Sequence, residues 1–299
     1  GAQHVGMGRD LYEIYPAFRQ VLDSAPVDFD LKKLCFDGPE DQLNDTRYTQ
    51  PCMVAFAAGV TALLREAGIT PDYAAGLSLG EYSALQCAGV FDAKTAISLV
   101  AFRGQAMADA VQGRPCGMAA VLGMDRDALK AVCSEASDAG VVECTNFNCP
   151  GQIVISGDAA AVDKAGELAK AAGAKRVLPL KVSGPFHTSL MAPAGDALRE
   201  KFQSVDFGSM EMPVLFNCLG DLKGEADTIP ELLEQQVQSS VYLEDTIRRL
   251  GELGVDTVVE IGPGRTLSGF VKKTVKGIKC YPVETAAELQ AAIVALRGE

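Results

Sequence analysis

Residues 76–80 read Gly-Leu-Ser-Leu-Gly, and few pentapeptides restrict a chain as tightly. A G-x-S-x-G run asks for a strand, a sharp turn and a helix in immediate succession, with the serine at the turn and glycines where backbone segments nearly touch. The flanks agree. Tyr73-Ala74-Ala75 leads in as a short buried strand, and Glu81-Tyr82-Ser83-Ala84-Leu85 opens a helical pattern. The N–H groups that begin that helix lack intrahelical partners and are available to an oxyanion. Small residues make chance matches common, so the pentapeptide marks Ser78 as a candidate nucleophile and leaves the rest of the chain to supply its base.

Helical and strand-like segments alternate on both sides of the elbow. Met53 to Gly68 carries apolar residues at helical spacing and ends at a glycine, with Pro71 just beyond. Ala93 to Val111 is a second amphipathic helix. The texture then changes. Gly117–Leu122, Val141–Thr145, Gln152–Ser156 and Lys175–Lys181 read as strands. Asp125 and Asp158 read as the caps of helices reaching about Ala136 and Ala172. The order β-α-β-β-α-β is a ferredoxin-like unit of roughly 70 residues, bounded by Arg114-Pro115 and Gly184-Pro185. Beyond it the α/β pattern returns, with buried strands expected at Pro213–Cys218 and Val255–Ile261. The predicted fold is α/β: a parallel-sheet, hydrolase-like core formed by 1–114 and 185–299, with 115–184 inserted as the ferredoxin-like subdomain.

Charge and cysteine usage narrow the function. The 299 residues carry a net charge of −12 with a pI near 4.7, which argues against bulk nucleic-acid binding. No run of about 18 apolar residues is present, and no basic region followed by an apolar one marks a secretory signal. Membrane association is therefore not expected. Nine cysteines sit at spacings that match no metal clip and read as free thiols of a reducing cytosol, so neither a metal nor a bound cofactor is expected. Two local basic clusters, Lys175-Arg176 and Lys272-Lys273 with Lys276 and Lys279, read either as solvated surface or as docking patches for an acidic partner.

Serine needs a base, and only His4 and His187 are available. His4 reads as an exposed loop residue in a glycine-rich stretch. His187 lies in Ser183-Gly184-Pro185-Phe186-His187-Thr188, at a break between a strand and a helix, where α/β proteins place their sites. It is the expected base. More than a third of the chain follows it, which disfavours the α/β-hydrolase order of serine, acid and late histidine. Arg103 interrupts the apolar face of its helix. It is either an amphipathic arginine at a helix edge or a fork for a planar carboxylate, with Gly104 leaving room beside it.

These residues stand in the order of six markers: Gly1-Ala2-Gln3 before Gly6-Met7-Gly8, Gly76–Ser83, Arg103–Met107, Asn146–Gln152, Gly184–His187 and Glu260–Gly264. Together they resemble the malonyl-CoA:acyl carrier protein transacylase family of fatty-acid and polyketide synthesis, over nearly the whole chain. The family's architecture is the α/β core with a ferredoxin-like insert. The resemblance implies Ser78 as nucleophile and His187 as its base in a dyad. A backbone carbonyl near Gln236 would orient the histidine, and the N–H groups of Leu79 and Gln3 would form the oxyanion hole. Arg103 would take the free carboxylate of malonyl, with Met107, Gln152, Phe186 and Asn217 lining the pocket. Phe186 and Met107 are similar to the malonyl-selective pattern.

The implied reaction is ping-pong. Malonyl passes from malonyl-CoA to Ser78 and then to the phosphopantetheine thiol of an acidic acyl carrier protein, for which Lys175, Arg176, Lys272 and Lys273 become the docking hypothesis. A serine hydrolase, a silent scaffold or an acyltransferase serving a polyketide synthase are the competing readings. Leu77 stands where the family usually has histidine, and activity is expected to survive with a changed pocket wall. The resemblance places the family's first strand ahead of Gly1. The terminal helical pattern Ala286–Leu296 with no linker after it is expected of a free-standing enzyme, taken to be a cytoplasmic monomer.

Overall fold

The computed structural model describes residues 1–181 and 184–299. Val182 and Ser183, expected at the end of the small subdomain and the start of the histidine loop, lie outside the described residues. Contacts divide the chain into two compact units: Gly1–Gln105 with Asp206–Leu215 and Leu250–Glu299, and Ala106–Val205 with Phe216–Arg249. The expected 115–184 stretch falls inside the second, which also takes in 106–114, 185–205 and 216–249.

The second unit contains a four-stranded antiparallel sheet. Its strands are Cys116–Leu122, Val142–Cys149, Gln152–Asp158 and Arg176–Pro179, with the third and first strands in the middle and the second and fourth at the edges. Helices Arg126–Glu135 and Ala159–Ala171 connect them in the predicted β-α-β-β-α-β order. Alternate strand residues Ala119, Val121, Ile153 and Ile155 pack with Leu129, Val132, Val162 and Ala165 in one apolar core. Asp125 caps its helix as expected, accepting from Ala128 N–H at 2.8 Å. Asp158 stands at the N-cap position of the next helix but its carboxylate does not cap it. It accepts from Val141 N–H at 2.8 Å and pairs with Arg114 instead. The last strand is shorter than the predicted 175–181 and ends at Pro179, with one further bond from Leu180 N–H to the Met118 carbonyl at 2.8 Å.

In the first unit the longest helix runs Thr46–Glu66, seven residues earlier than its apolar spacing suggests. Pro51 lies inside it and reads in sequence as a break. Asp45 overrides that signal by accepting from Arg47 N–H at 3.0 Å at the true N-terminus. Thr257–Ile261 and Lys279–Val283 pair in parallel. The strand expected at Tyr73–Ala75 is a single parallel bridge, Ala74 with Val214. Ala74 N–H donates to the Pro213 carbonyl at 3.1 Å, and Leu215 N–H returns a bond to the Ala74 carbonyl at 3.0 Å. Pro213 has no N–H to carry the ladder further. Four short helices, Arg9–Ile14, Pro16–Asp23, Leu31–Asp37 and Glu40–Leu43, precede the long one. None is long enough to show a period in sequence. Among the described residues no helix is long and apolar enough to cross a membrane.

Candidate active site

Ser78 sits at the turn between the Ala74 bridge and helix Gly80–Cys87, with φ at +53°. Turn bonds from Gly80 N–H to the Leu77 carbonyl (2.9 Å) and from Glu81 N–H to the Ser78 carbonyl (3.1 Å) close the elbow. Gly76 is required by space. A Cβ there would stand 2.1 Å from the backbone carbonyl carbon and oxygen of Gly80. Leu79 precedes the first helical bond, so its N–H belongs to the unsatisfied first turn. Left-handed backbone in a residue with a side chain costs about 1–3 kcal/mol and collects at functional sites. Among the described non-glycine residues only Ser78, His187 and Gln112 adopt it, so the two sequence-predicted catalytic residues supply two of the three cases.

Arg103 is 1% exposed and lies against Ser78. Its Nη2 donates to Ser78 Oγ at 3.4 Å, and Nη1 donates to Gln50 Oε1 at 2.9 Å. The guanidinium carbon stands 5.3 Å from the ring centre of Tyr82, one helical turn past the serine. Gln50 is itself held by Thr46 Oγ1, 2.9 Å from its Nε2. This approach depends on Gly104, where a Cβ would come within 2.8 Å of the Thr46 carbonyl oxygen. Burial pushes the guanidinium below its ordinary pKa, while the Tyr82 and Glu81 charges oppose the shift. Burial also raises the Tyr82 phenol. Gln50 and Tyr82 were not predicted from sequence. Tyr82 could have been found from its i+4 spacing to Ser78, and Gln50 only by knowing that the helix begins before Pro51.

Gln3 lies in the first loop of the same unit. Its side-chain amide donates to Asn44 Oδ1 at 2.9 Å, while Gly6 N–H donates to the Cys35 carbonyl at 2.8 Å.

In the second unit His187 is 6% exposed, with φ at +62°. Thr188 fixes the loop by donating to the Pro185 carbonyl at 2.6 Å and accepting from Leu190 N–H at 3.2 Å. His187 Nδ1 lies 2.9 Å from the backbone carbonyl of Gln236. A carbonyl only accepts, so the contact assigns the hydrogen to Nδ1 and leaves Nε2, in the neutral ring, as the proton acceptor. Gln236 is fully buried, and its side chain donates to Asn217 Oδ1 at 3.3 Å. Asn217 is anchored in turn by Tyr242 N–H, 2.9 Å from its carbonyl. Phe186 is half-buried beside His187, and Met107 is buried on the helix that carries Arg103. Gln152 stands in the hairpin of the small sheet, where Cys149 Sγ lies 3.7 Å from its Oε1. Lys175 and Arg176 are exposed at the fourth, edge strand of that sheet. Lys272 and Lys273 are exposed in the last turn of helix Thr266–Thr274 in the first unit.

Residues 1–294 match the acyl transferase domain family. The chain is 43% identical to the malonyl CoA-acyl carrier protein transacylase of Bacillus subtilis, over all of this chain and 95% of that protein. Among solved structures, the malonyl-transacylase of Streptococcus pneumoniae superposes with a TM-score of 0.94 at 44% identity, covering 99% of this chain and 97% of that one. A malonyl-transacylase solved in complex with AntF, a type II polyketide acyl-carrier protein, gives 0.95 at 39% identity, covering 100% and 97%.

Proposed function

The chain belongs to the acyl transferase family, and from that premise we propose that it moves malonyl from malonyl-CoA to the phosphopantetheine thiol of an acyl carrier protein, by way of a malonyl ester on Ser78. The observation that carries this reading is Arg103, a buried guanidinium 3.4 Å from Ser78 Oγ. A single methylene separates the carboxylate of malonyl from the carbonyl that Ser78 would attack. A cation at this distance from the nucleophile is in reach of that carboxylate. A water-using esterase of neutral chains would gain nothing from burying a charge there.

In the first half-reaction Ser78 Oγ attacks the thioester carbonyl and His187 Nε2 takes the hydroxyl proton. The backbone N–H groups of Leu79 and Gln3 hold the tetrahedral oxyanion, each contributing about 3 kcal/mol. As the intermediate collapses, the C–S bond breaks and the proton on His187 passes to the departing sulfur of CoA. In the second half the carrier thiol gives its proton to His187 and attacks the ester. Ser78 Oγ leaves and recovers its proton. The Gln236 carbonyl keeps the imidazole in the productive tautomer, and Met107, Gln152, Phe186 and Asn217 line the acyl pocket. No cofactor takes part.

The carrier protein docks on Lys175, Arg176, Lys272 and Lys273, and the enzyme acts as a monomer in the cytoplasm. Residues 115–184 act as a ferredoxin-like subdomain set into a core of 1–114 and 185–299, a division supported by the β-α-β-β-α-β order. The neighbour solved with a polyketide carrier favours a second acceptor class, tested by offering both carrier types to the malonylated enzyme. The central test is intact-mass measurement after exposure to malonyl-CoA. Wild type should gain one malonyl and Ser78→Ala none. An unmodified wild type refutes the reading.

A further inference from the structure

Strand Val142–Cys149 bounds the small sheet, and it meets two segments that hold His187. Glu143 reaches the first of them. Its Oε2 accepts from Ser189 N–H at 3.0 Å and from Ser189 Oγ at 2.9 Å, and its Oε1 stands 3.3 Å from the same N–H. Ser189 opens the helical turn Ser189–Met191 just after His187, where a backbone N–H has no intrahelical partner and a carboxylate is favoured. The next strand residues grip the second segment. The Cys144 carbonyl accepts from Ser240 Oγ at 2.7 Å, and the Thr145 carbonyl accepts from Val241 N–H at 2.8 Å. Ser240 and Val241 follow Gln236, whose carbonyl lies 2.9 Å from His187 Nδ1. Consecutive residues of one strand therefore anchor both the histidine loop and the segment that carries its carbonyl partner.

We propose that Glu143 is a positioning residue for His187: by bonding Ser189 it holds the histidine loop to the strand that also fixes the Gln236 segment, and so keeps Nδ1 on its carbonyl and Nε2 as the proton acceptor. The inference rests on the proposed role of His187 as the base. His187 needs such support because its φ of +62° is left-handed, and a residue with a side chain keeps that conformation only where its surroundings over-determine it. Thr188 closes the loop on itself through Pro185 and Leu190. Those bonds are local and would travel with the loop if it moved. Glu143 instead ties the loop to the sheet from 46 residues away. It is half-buried and is itself set by its pairing with Ser156 of the neighbouring strand. Ser189 is exposed, so water readily replaces its hydroxyl bond, and the backbone bond carries most of the restraint.

The test uses the full chain with malonyl-CoA and the variants Glu143→Ala, Glu143→Gln and Ser189→Ala. A displacement of about 1 Å at a catalytic group costs about 10²-fold in rate. A loosened ring that still visits its place should lower single-turnover malonyl loading about tenfold in Glu143→Ala, with the malonyl-CoA concentration for half-maximal rate unchanged. Glu143→Gln keeps an acceptor for Ser189 N–H and should recover most of the rate. Adding Ser189→Ala to Glu143→Ala should cost nothing further, since the two act through one contact. Nitrogen-15 NMR of the two histidine side chains reads the tautomer. Wild-type His187 should carry its hydrogen on Nδ1, and Glu143→Ala should populate the Nε2–H form. The inference is overturned by Glu143→Ala loading within about twofold of wild type, by equal losses in Ala and Gln, or by a slowed Glu143→Ala whose His187 tautomer matches wild type. If Glu143→Ala does not fold, Ser189→Ala carries the test through the same two readouts, and no change in either overturns the inference. A wild type that takes no malonyl at all overturns the function reading instead, and the His187 tautomer in Glu143→Ala still judges the Glu143 contact.

Discussion

The two glycines of the elbow look equivalent in sequence, and the structure predicts opposite outcomes for them. A Cβ on Gly76 would stand 2.1 Å from the carbonyl carbon and oxygen of Gly80 and 2.6 Å from its Cα, where real Cβ contacts essentially never fall below 3.0 Å. All three atoms are backbone, so no rotamer change relieves the clash. The turn must open by about 1 Å. Overpacking of this kind costs about 1–3 kcal/mol, and a displacement of about 1 Å at the nucleophile lowers the rate about 10²-fold. A Cβ on Gly80 meets nothing within 4 Å. Gly80 opens a helix with ordinary backbone angles, so alanine there should stabilise by about 0.4–1 kcal/mol through the unfolded chain. The variants should therefore differ by about 3 kcal/mol, with Gly76→Ala below wild type and Gly80→Ala level with it or above. Thermal melts read the stability, and single-turnover malonyl loading by intact mass reads the geometry. A Gly76→Ala protein that melts and loads like wild type would show that the elbow yields easily, and so would a Gly80→Ala protein that suffers more.

Arg103→Ala should lower kcat/KM for malonyl-CoA by about 10²-fold or more, as expected when a buried charged hydrogen bond is lost, and should raise acetyl loading relative to malonyl in a two-substrate competition. Arg103→Lys should not restore the preference, because an ammonium cannot reach Gln50, Ser78 and a carboxylate in one plane. Gln50→Ala should raise KM for malonyl-CoA about tenfold while acetyl loading changes little, since Gln50 aims the guanidinium and touches no acyl group in this assignment. Asp45→Ala removes the cap of the helix that carries Gln50 and should cost about 1 kcal/mol at pH 7. The bond from the Arg47 side chain holds the Asp45 carboxyl below its ordinary range. Its stabilisation is therefore present above the unfolded value near 3.8 and lost as pH falls through the lower folded one, so melts of variant and wild type should converge in acid.

The parts of this fold that local chemistry decides are legible in the amino-acid sequence alone. The small sheet announces itself because its period switches between 2 and 3.6 at Asp125 and at Asp158, with the Cys149-Pro150-Gly151-Gln152 hairpin dividing the two strands between them. The elbow does so because Gly76 and Ser78 answer a backbone demand that few other sequences meet. Where tertiary contacts outvote local signals, reading fails. Asp158 looks like a cap and instead serves Val141 and Arg114. Pro51 looks like a stop and is carried through inside a helix capped at Asp45. Gln50 was hidden by that one misread boundary. His4 was hidden for a different reason. Nothing within its neighbours in sequence says that an acid 280 residues away meets its ring. A side chain such as Ser78, on left-handed backbone, must satisfy that backbone and so marks its surroundings. A side chain that meets a distant partner, as His4 meets Glu284, leaves no such local trace. That asymmetry makes Gln50, rather than Ser78 or His187, the position where substitution carries the most new information about how Arg103 is held.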